Sequence, residues 1–251
     1  LIPRLQDNSA TGLSLKLPYF VAIAENKDIT LSPRFFNDDK FLLQSEFRQK
    51  NKKSSHSADF SQFISSDKSS KGHLFYNLKK NYESKNFNDI ELDIKIEQVS
   101  DDTYLKAYKI ESPIINNNSN LLNSINLNLY NENQTMNTNL DIYEDLSKTN
   151  NDRYEYVPNF SFSKIINDNY SVKSNGYFKN YNTNITEKVL INNLEFNSNS
   201  EYFNNGLVNN KKLLIKNVNS DARNSEKFKN KNSSSLVPTF QTNYTLSLIH
   251  I

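Results

Sequence analysis

Eight residues in the middle of the chain, Ile90-Glu91-Leu92-Asp93-Ile94-Lys95-Ile96-Glu97, alternate apolar and charged without a fault. Successive side chains of a strand point to opposite faces, so as a strand this run has one aliphatic face and one charged face. A helix would scatter the same residues around its circumference. The two-residue period recurs along the chain. Leu13, Leu15 and Leu17 alternate with Ser14 and Lys16, and Ile29, Leu31, Pro33 and Phe35 with Thr30, Ser32 and Arg34. Ile125, Leu127 and Leu129 alternate with Asn126 and Asn128, and Tyr154, Tyr156, Pro158, Phe160 and Phe162 with Glu155, Asn159 and Ser161. No sustained 3.6-residue pattern competes with it. The nearest is residues 101–110, which could hold a short helix inside a long connection.

Polar clusters punctuate these runs at residues 7–12, 25–27, 37–40, 52–55, 65–72, 82–88, 100–120, 131–134 and 146–152. Strand-like runs separated by turns, with no helical stretch between, imply an all-β, antiparallel up-and-down meander. The runs are long: residues 88–99 reach about twice the usual globular strand. Membrane β-strands need about 9–11 residues to cross the apolar layer at a tilt. Such strands place apolar residues toward lipid and polar ones toward a wet lumen, so half of each suffices to be hydrophobic. That fits a chain with 36% hydrophobic residues but 16 Phe and 14 Tyr, too aromatic for a disordered segment. A soluble β-sandwich or solenoid alternates in the same way and stays open at this point.

Composition removes several functions. The net charge is +2, without the basic excess of a nucleic-acid binder. Cys is absent, so no disulfide, thiolate site or Cys nucleophile is available, and three His with no spaced pair argue against zinc. Four Gly and neither GxGxxG nor GxxxxGKS/T argue against phosphate-cradling loops, and no apolar run approaches the roughly 18 residues of a membrane helix. No catalytic constellation stands out, and the expectation is a non-enzyme with no cofactor and no metal. The opening Leu1-Ile2-Pro3-Arg4 carries neither initiator Met nor signal peptide and reads as the interior of a longer protein, so missing targeting signals carry no statement about localisation. Residues 247–251 follow a strand-like run without a stop signal and are doubtful as native sequence.

Register can be read for one hairpin. Keeping the apolar sets of residues 29–36 and 41–50 on one face pairs Phe35 with Leu43, Pro33 with Ser45 and Leu31 with Phe47. A two-residue turn would shift the pairing by one and set Leu31 against Glu46. The expectation is an odd-length loop centred on Asp39, where Asn37-Asp38-Asp39 tolerate the left-handed backbone it needs.

Residues 17–34, Leu-Pro-Tyr-Phe-Val-Ala-Ile-Ala-Glu-Asn-Lys-Asp-Ile-Thr-Leu-Ser-Pro-Arg, are distinctive. They resemble the start of the barrel in the LPS-assembly (organic solvent tolerance, LptD) family, close to L-P-Y-[FY]-x-x-I-A-P-N-x-D-x-T-x-x-P-R followed by L-x-x-E-F-R. Leu43-Gln44-Ser45-Glu46-Phe47-Arg48 matches that continuation, and Leu1-Ile2-Pro3 resembles the preceding strand. His73-Leu74-Phe75-Tyr76, Asp102-Thr103-Tyr104 and residues 206–219 resemble later landmarks more weakly. The match is strong over the first fifth of the chain. It departs at Glu25, where the family has Pro, and at Asp39-Lys40, where Arg-Gly is frequent.

The resemblance implies that residues 1–251 are a partial LptD-type barrel domain, about the first half of a barrel of about 26 strands, lacking the periplasmic N-terminal β-domain and the remaining strands. It implies insertion of lipopolysaccharide into the outer leaflet of a Gram-negative outer membrane, through a lumen and a lateral gate between first and last strands. The implied partners are lipopolysaccharide, outer-membrane lipid, an LptE-like plug lipoprotein and, through the missing domain, a periplasmic LptA-like bridge, with no nucleic acid. Pro3 and Pro18 stand where the family has its gate prolines; the bare residues show only that each lacks a ladder donor. Pro33 and Pro158 read as ordinary edge or bulge prolines. A first strand running outward puts the connections at 65–72 and 100–120 outside, where long loops belong. Arg34, Glu46, Arg48, Glu91, Asp93 and Lys95, with Lys50 and Glu97, fall on polar faces, so they are lumen-facing candidates for contact with phosphates or a plug. A solvated polar face explains them as well. His56 and His73 read as solvent-facing. Another outer-membrane barrel, such as a porin or receptor, and a soluble extracellular glycan-binding β-protein are the alternatives.

Overall fold

The computed structural model describes residues 2–8, 11–37, 40–65, 70–149, 153–182, 186–225 and 231–246. The strands are β1 (Arg4–Gln6), β2 (Ser14–Lys16), β3 (Tyr19–Ala24), β4 (Lys27–Phe36), β5 (Phe41–Asn51), β6 (Ser54–Ile64), β7 (Ser70–Tyr82) and β8 (Asp89–Val99). After the four-residue helix α1 (Tyr104–Ala107) come β9 (Asn120–Tyr130), β10 (Gln134–Asp145), β11 (Tyr154–Asn167), β12 (Tyr170–Asn182), β13 (Thr186–Ser198), β14 (Glu201–Tyr202), β15 (Leu207–Arg223) and β16 (Asn232–Leu246). The strands pair in chain order in one up-and-down sheet, except that β2 and β3 both pair with β4 and that β13, β14 and β16 all pair with β15; no ladder closes the path among the described residues. The all-β antiparallel meander expected from the alternation is therefore present, and α1 lies where residues 101–110 offered a short helix. No helix of the described residues is long and apolar enough to cross a membrane.

Connections vary in length. Residues 25–26, 52–53, 131–133, 168–169 and 183–185 are short links between strands, whereas 7–13, 83–88, 100–119, 146–153 and 224–231 are longer. In the turn before β2, Asn8 O accepts from the N–H groups of Thr11 and Gly12, and Gly12 takes φ +70°, open to a residue without Cβ.

The hairpin β4–β5 corrects the expected register. Leu31 pairs with Ser45, Pro33 with Leu43 and Phe35 with Phe41, two residues from the pairing read in the sequence. Parity is kept, so every side chain stays on its expected face, and the loop is odd but centred one residue earlier. Phe36 N–H donates to Lys40 O at 3.1 Å, and the Phe35 and Phe41 rings sit 5.3 Å apart. Asp38 and Asp39 lie outside the described residues, as do the tips at 9–10 and 66–69 and the closing residues 247–251.

Two compact units divide the chain. The first comprises residues 1–82, 91–125 and 142–153. One face of its sheet shows Leu5, Leu15, Phe35, Phe60, Ile64 and Leu74 to the surroundings. The other face carries Arg34, Gln44, Asp59, Ser61 and His73 beside Phe36, Leu42, Phe63 and Phe75, and all nine are buried. What buries them is the connection 100–119, which folds back over the strands and inserts Tyr104, Leu105, Ile110 and Ile114. The ladder packs so closely here that a Cβ on Gly72 would collide with the Ser61 carbonyl oxygen. Where β9 leaves β8, the Asn123 carboxamide substitutes for a backbone rung: its Oδ1 accepts from Glu97 N–H at 2.9 Å and its Nδ2 donates to Glu97 O at 3.2 Å.

The second unit comprises residues 83–90, 126–141 and 154–251. Its ladders run in register from β11 to β16, with Phe160 opposite Gly176, Gly176 opposite Asn192, Asn192 opposite Asn217 and Asn217 opposite Leu236. Tyr154, Tyr156, Pro158, Phe160 and Phe162 share one face, as their alternation requires. Among its described residues the buried apolar side chains are Val189 and Ala222, and every described residue of β16 is exposed.

Candidate functional site

The first strands are unusual in how their pairing stops. β2 and β3 keep a single register against β4, with Lys16 opposite Arg34 and Tyr19 opposite Leu31, so they are one strand broken at Leu17-Pro18. β1 pairs with β2 over three positions, from Gln6 opposite Ser14 to Arg4 opposite Lys16. Two further rungs would set Pro3 opposite Leu17 and Ile2 opposite Pro18. Pro3 and Pro18, which have no N–H to donate, flank the last described rung of this hairpin, Arg4 opposite Lys16. Along one edge β3 pairs with β4. All six residues of β3 are exposed, Tyr19, Phe20, Val21 and Ile23 included.

Against this seam lies a groove of about 970 Å³. Ile2, Pro18 and Phe20 give it an apolar side, and Lys16, Glu46 and Arg48 a charged side. A second hollow of about 670 Å³ shares Phe20 and Arg48 and extends toward the turn at 25–26. The mixture follows from strand geometry: even-numbered residues of β2, β4 and the regular part of β3 point to one face, and along that face charge gives way to Phe20 and Ala22.

The expected lumen-facing residues divide. Glu46 and Arg48 line the groove, with Arg48 held by Asp28 at 2.9 Å. Arg34 shares their face but is 3% exposed. Its Nε donates to Ser14 Oγ at 2.9 Å, its Nη1 donates to Tyr108 O at 2.6 Å, and its guanidinium stacks 4.7 Å from the Phe36 ring. The connection 100–119 therefore covers Arg34 on that face. Glu91, Asp93 and Lys95 share one face of β8 with Glu97, and Lys95 Nζ lies 2.6 Å from Glu97 Oε1; none of them lines the groove. Pro3 is exposed just before β1, and Pro18 is half-buried at the break. Pro158 also interrupts a ladder, between Tyr156 opposite Asn180 and Asn159 opposite Tyr177, but in a strand flanked on both sides.

His73 corrects a second expectation. Its side chain is fully buried, with Nε2 3.1 Å from Asp59 Oδ1 and the ring stacked 4.2 Å from Phe75. Ser61 Oγ lies 2.7 Å from His73 Nδ1 and 2.6 Å from Tyr104 OH. His73 Nε2–H donates to the Asp59 carboxyl, and Ser61 Oγ bridges His73 Nδ1 and the Tyr104 hydroxyl. Burial pushes the Tyr104 hydroxyl well above its ordinary pKa, which keeps it a donor. Gln44 Nε2 donates to both Asp59 oxygens and to Glu111 O at 2.8 Å. The order Asp59–His73–Ser61 has the members of a hydrolytic triad, but neither Ser61 nor His73 lines a cavity described here, and the Ser61 hydroxyl is spoken for by Tyr104. The chain instead latches α1 to the sheet. Sequence reading missed it because Asp59, Ser61 and His73 converge only through the β6–β7 ladder, which pairs Ser61 with His73.

Further ties hold the connection 100–119. Asp102 accepts two bonds from Arg153, at 2.8 and 2.6 Å. Asp101 pairs with Lys71 at 3.0 Å. Hydrogen bonds from Thr103 and then Lys71 lower the Asp101 carboxyl to about 2. Among the described residues no cluster of three or more His, Asp or Glu is placed to hold a metal ion. Neither the protein-family models nor the curated proteins contain a match for this chain.

Proposed function

We propose that this chain supplies the opening strands of an LptD-like translocon in the outer membrane of a Gram-negative bacterium, passing lipopolysaccharide to the outer leaflet through a gate at β1–β3. The observation that carries the reading is the placement of two prolines beside an amphipathic groove. Pro3 and Pro18 flank the last described rung of β1–β2, and Pro18 lines the groove. An unpaired backbone carbonyl is costly in lipid, so a seam missing its rungs is easier to part than a regular one. A phosphorylated glycolipid has a head for the charged side and acyl chains for the apolar side. The apolar sheet face and the strand lengths agree with membrane strands, and residues 17–34 and 43–48 carry the resemblance. An LptE-like lipoprotein in the lumen and an LptA-like bridge in the periplasm are the partners this reading entails.

The test is substitution at the seam in the complete protein. Pro3→Ala and Pro18→Ala restore donors, so surface lipopolysaccharide should fall several-fold while resistance of the folded barrel to heating in detergent holds or rises. Each restored bond contributes about 0.5–1.5 kcal/mol. Pro158→Ala, inside the sheet, should leave surface lipopolysaccharide unchanged. Equal effects from all three would overturn the gate. Stable folding of the complete protein without detergent would overturn the membrane reading in favour of a soluble glycan binder.

A further inference from the structure

The connection 100–119 buries the sheet and also forms part of the groove, through Glu111, Ser112 and Pro113. Glu111 Oε2 accepts from Arg4 Nη1 at 2.8 Å, across 107 positions of sequence. Its charge also acts on Lys16 and Arg34. Lys16 Nζ, by contrast, donates to the neutral Gln44 Oε1 at 3.2 Å. Beside it Arg34 Nη2 is buried and has no partner among the described residues. Arg4, Lys16 and Arg34 therefore converge on one small region, with Glu111 as the anion that reaches it from the segment. Lys16, Arg34 and Glu111 also line a narrow cavity that adjoins the groove.

We propose that Glu111 is a built-in counter-anion standing in the phosphoryl subsite of the groove, and that a phosphate-bearing amphiphile binds by displacing its carboxylate from Arg4 and engaging Lys16 as well. The proposal rests on the export reading above and adds how that groove is regulated. Two features make the exchange cheap. The Arg4–Glu111 pair is exposed, at 57% and 67% for the two side chains, and exposed ion pairs contribute little. The backbone of Glu111 is held separately by Gln44, so the side chain can swing away while the segment stays latched. A phosphate, with three terminal oxygens, then contacts the Arg4 guanidinium and the Lys16 ammonium together, where the Glu111 carboxylate contacts Arg4 and leaves Lys16 on Gln44. Ile2, Pro18 and Phe20 receive the first acyl chain, within a volume usual for small-ligand clefts. An empty groove keeps its cations neutralised and does not trap stray anions.

The experiment titrates radiolabelled dodecyl phosphate into the complete protein in dodecyl maltoside micelles, whose neutral head group serves as the background. Glu111→Gln should bind dodecyl phosphate about three- to tenfold more tightly, and Lys16→Gln about tenfold more weakly. The heat-induced gel shift of each variant reports that the barrel is folded; Glu111→Gln keeps the Gln44 bond and should match the parent. Inorganic phosphate should compete only at far higher concentration. Competition as effective as that of dodecyl phosphate would make this a free-anion site and overturn the amphiphile. Unchanged affinity in folded Glu111→Gln would overturn the counter-anion. If both affinities shift as expected while cells carrying Lys16→Gln display normal lipopolysaccharide, the subsite stands and the export reading falls. If affinities do not shift but Pro18→Ala lowers surface lipopolysaccharide, the subsite falls and the gate stands.

Discussion

The two units are built from the same kind of sequence and end up differently. Both consist of long strands with one apolar and one polar face, paired in order. In the first unit the polar face is roofed by residues 100–119, so Arg34, Asp59 and His73 became buried, hydrogen-bonded structural groups. In the second the corresponding face keeps its charges as half-exposed pairs, such as Lys179 with Glu155 at 2.8 Å, and buries little. A polar residue on a strand is thus a lining residue or a core residue according to what covers it. A buried polar group needs partners, and the roofed unit supplies them in a chain from Gln44 through Asp59, His73 and Ser61 to Tyr104. The open unit has water for that purpose.

The contrast predicts unequal costs of substitution. The largest belongs to the roof. Leu105→Ala removes a fully buried side chain and should cost about 2–5 kcal/mol, whereas Ile191→Ala on the polar face of the second unit should cost about 1 kcal/mol. Urea unfolding in lipid vesicles, followed by the gel shift of the folded form, measures both; equal costs would break the comparison. Next come the two faces of a single strand. Under the membrane reading, Leu92→Arg should cost about 2–4 kcal/mol and Asp93→Arg much less, by the same assay. Equal tolerance would mean that β8 does not present Leu92 to lipid. The smallest effect concerns acid. The Asp101 carboxyl is lowered to about 2, below its unfolded value, so its contribution is complete above the unfolded pKa and is lost as pH falls toward 2. Asp101→Asn should therefore flatten the part of the stability profile between roughly pH 4 and pH 2 and change little at neutral pH. The group is partly exposed, which keeps the change small. An undiminished acid limb in the variant would place the sensitivity elsewhere.

The groove was legible only by halves. Lys16, Glu46 and Arg48 share a face by parity alone, and residues 17–34 marked the region. Arg4 and Glu111 gave no local sign of each other, because 107 residues separate them and the contact exists only once residues 100–119 fold back. The same fold-back covered Arg34 and took His73 out of solvent.

What the sequence determined by itself is the strands, their faces, the parity of their pairing and the absence of any long helix. These are consequences of local sterics, since a strand must alternate its side chains and a shift by one residue would invert every face. The tertiary structure decided what a period of two cannot. A shift of two residues leaves the alternation intact, so the β4–β5 register is one that alternation could not choose, and it brings the Phe35 and Phe41 rings together. Which polar face would be covered was decided by Tyr104, Leu105, Ile110 and Ile114, whose burial against distant strands is a nonlocal gain that no alternation pattern encodes.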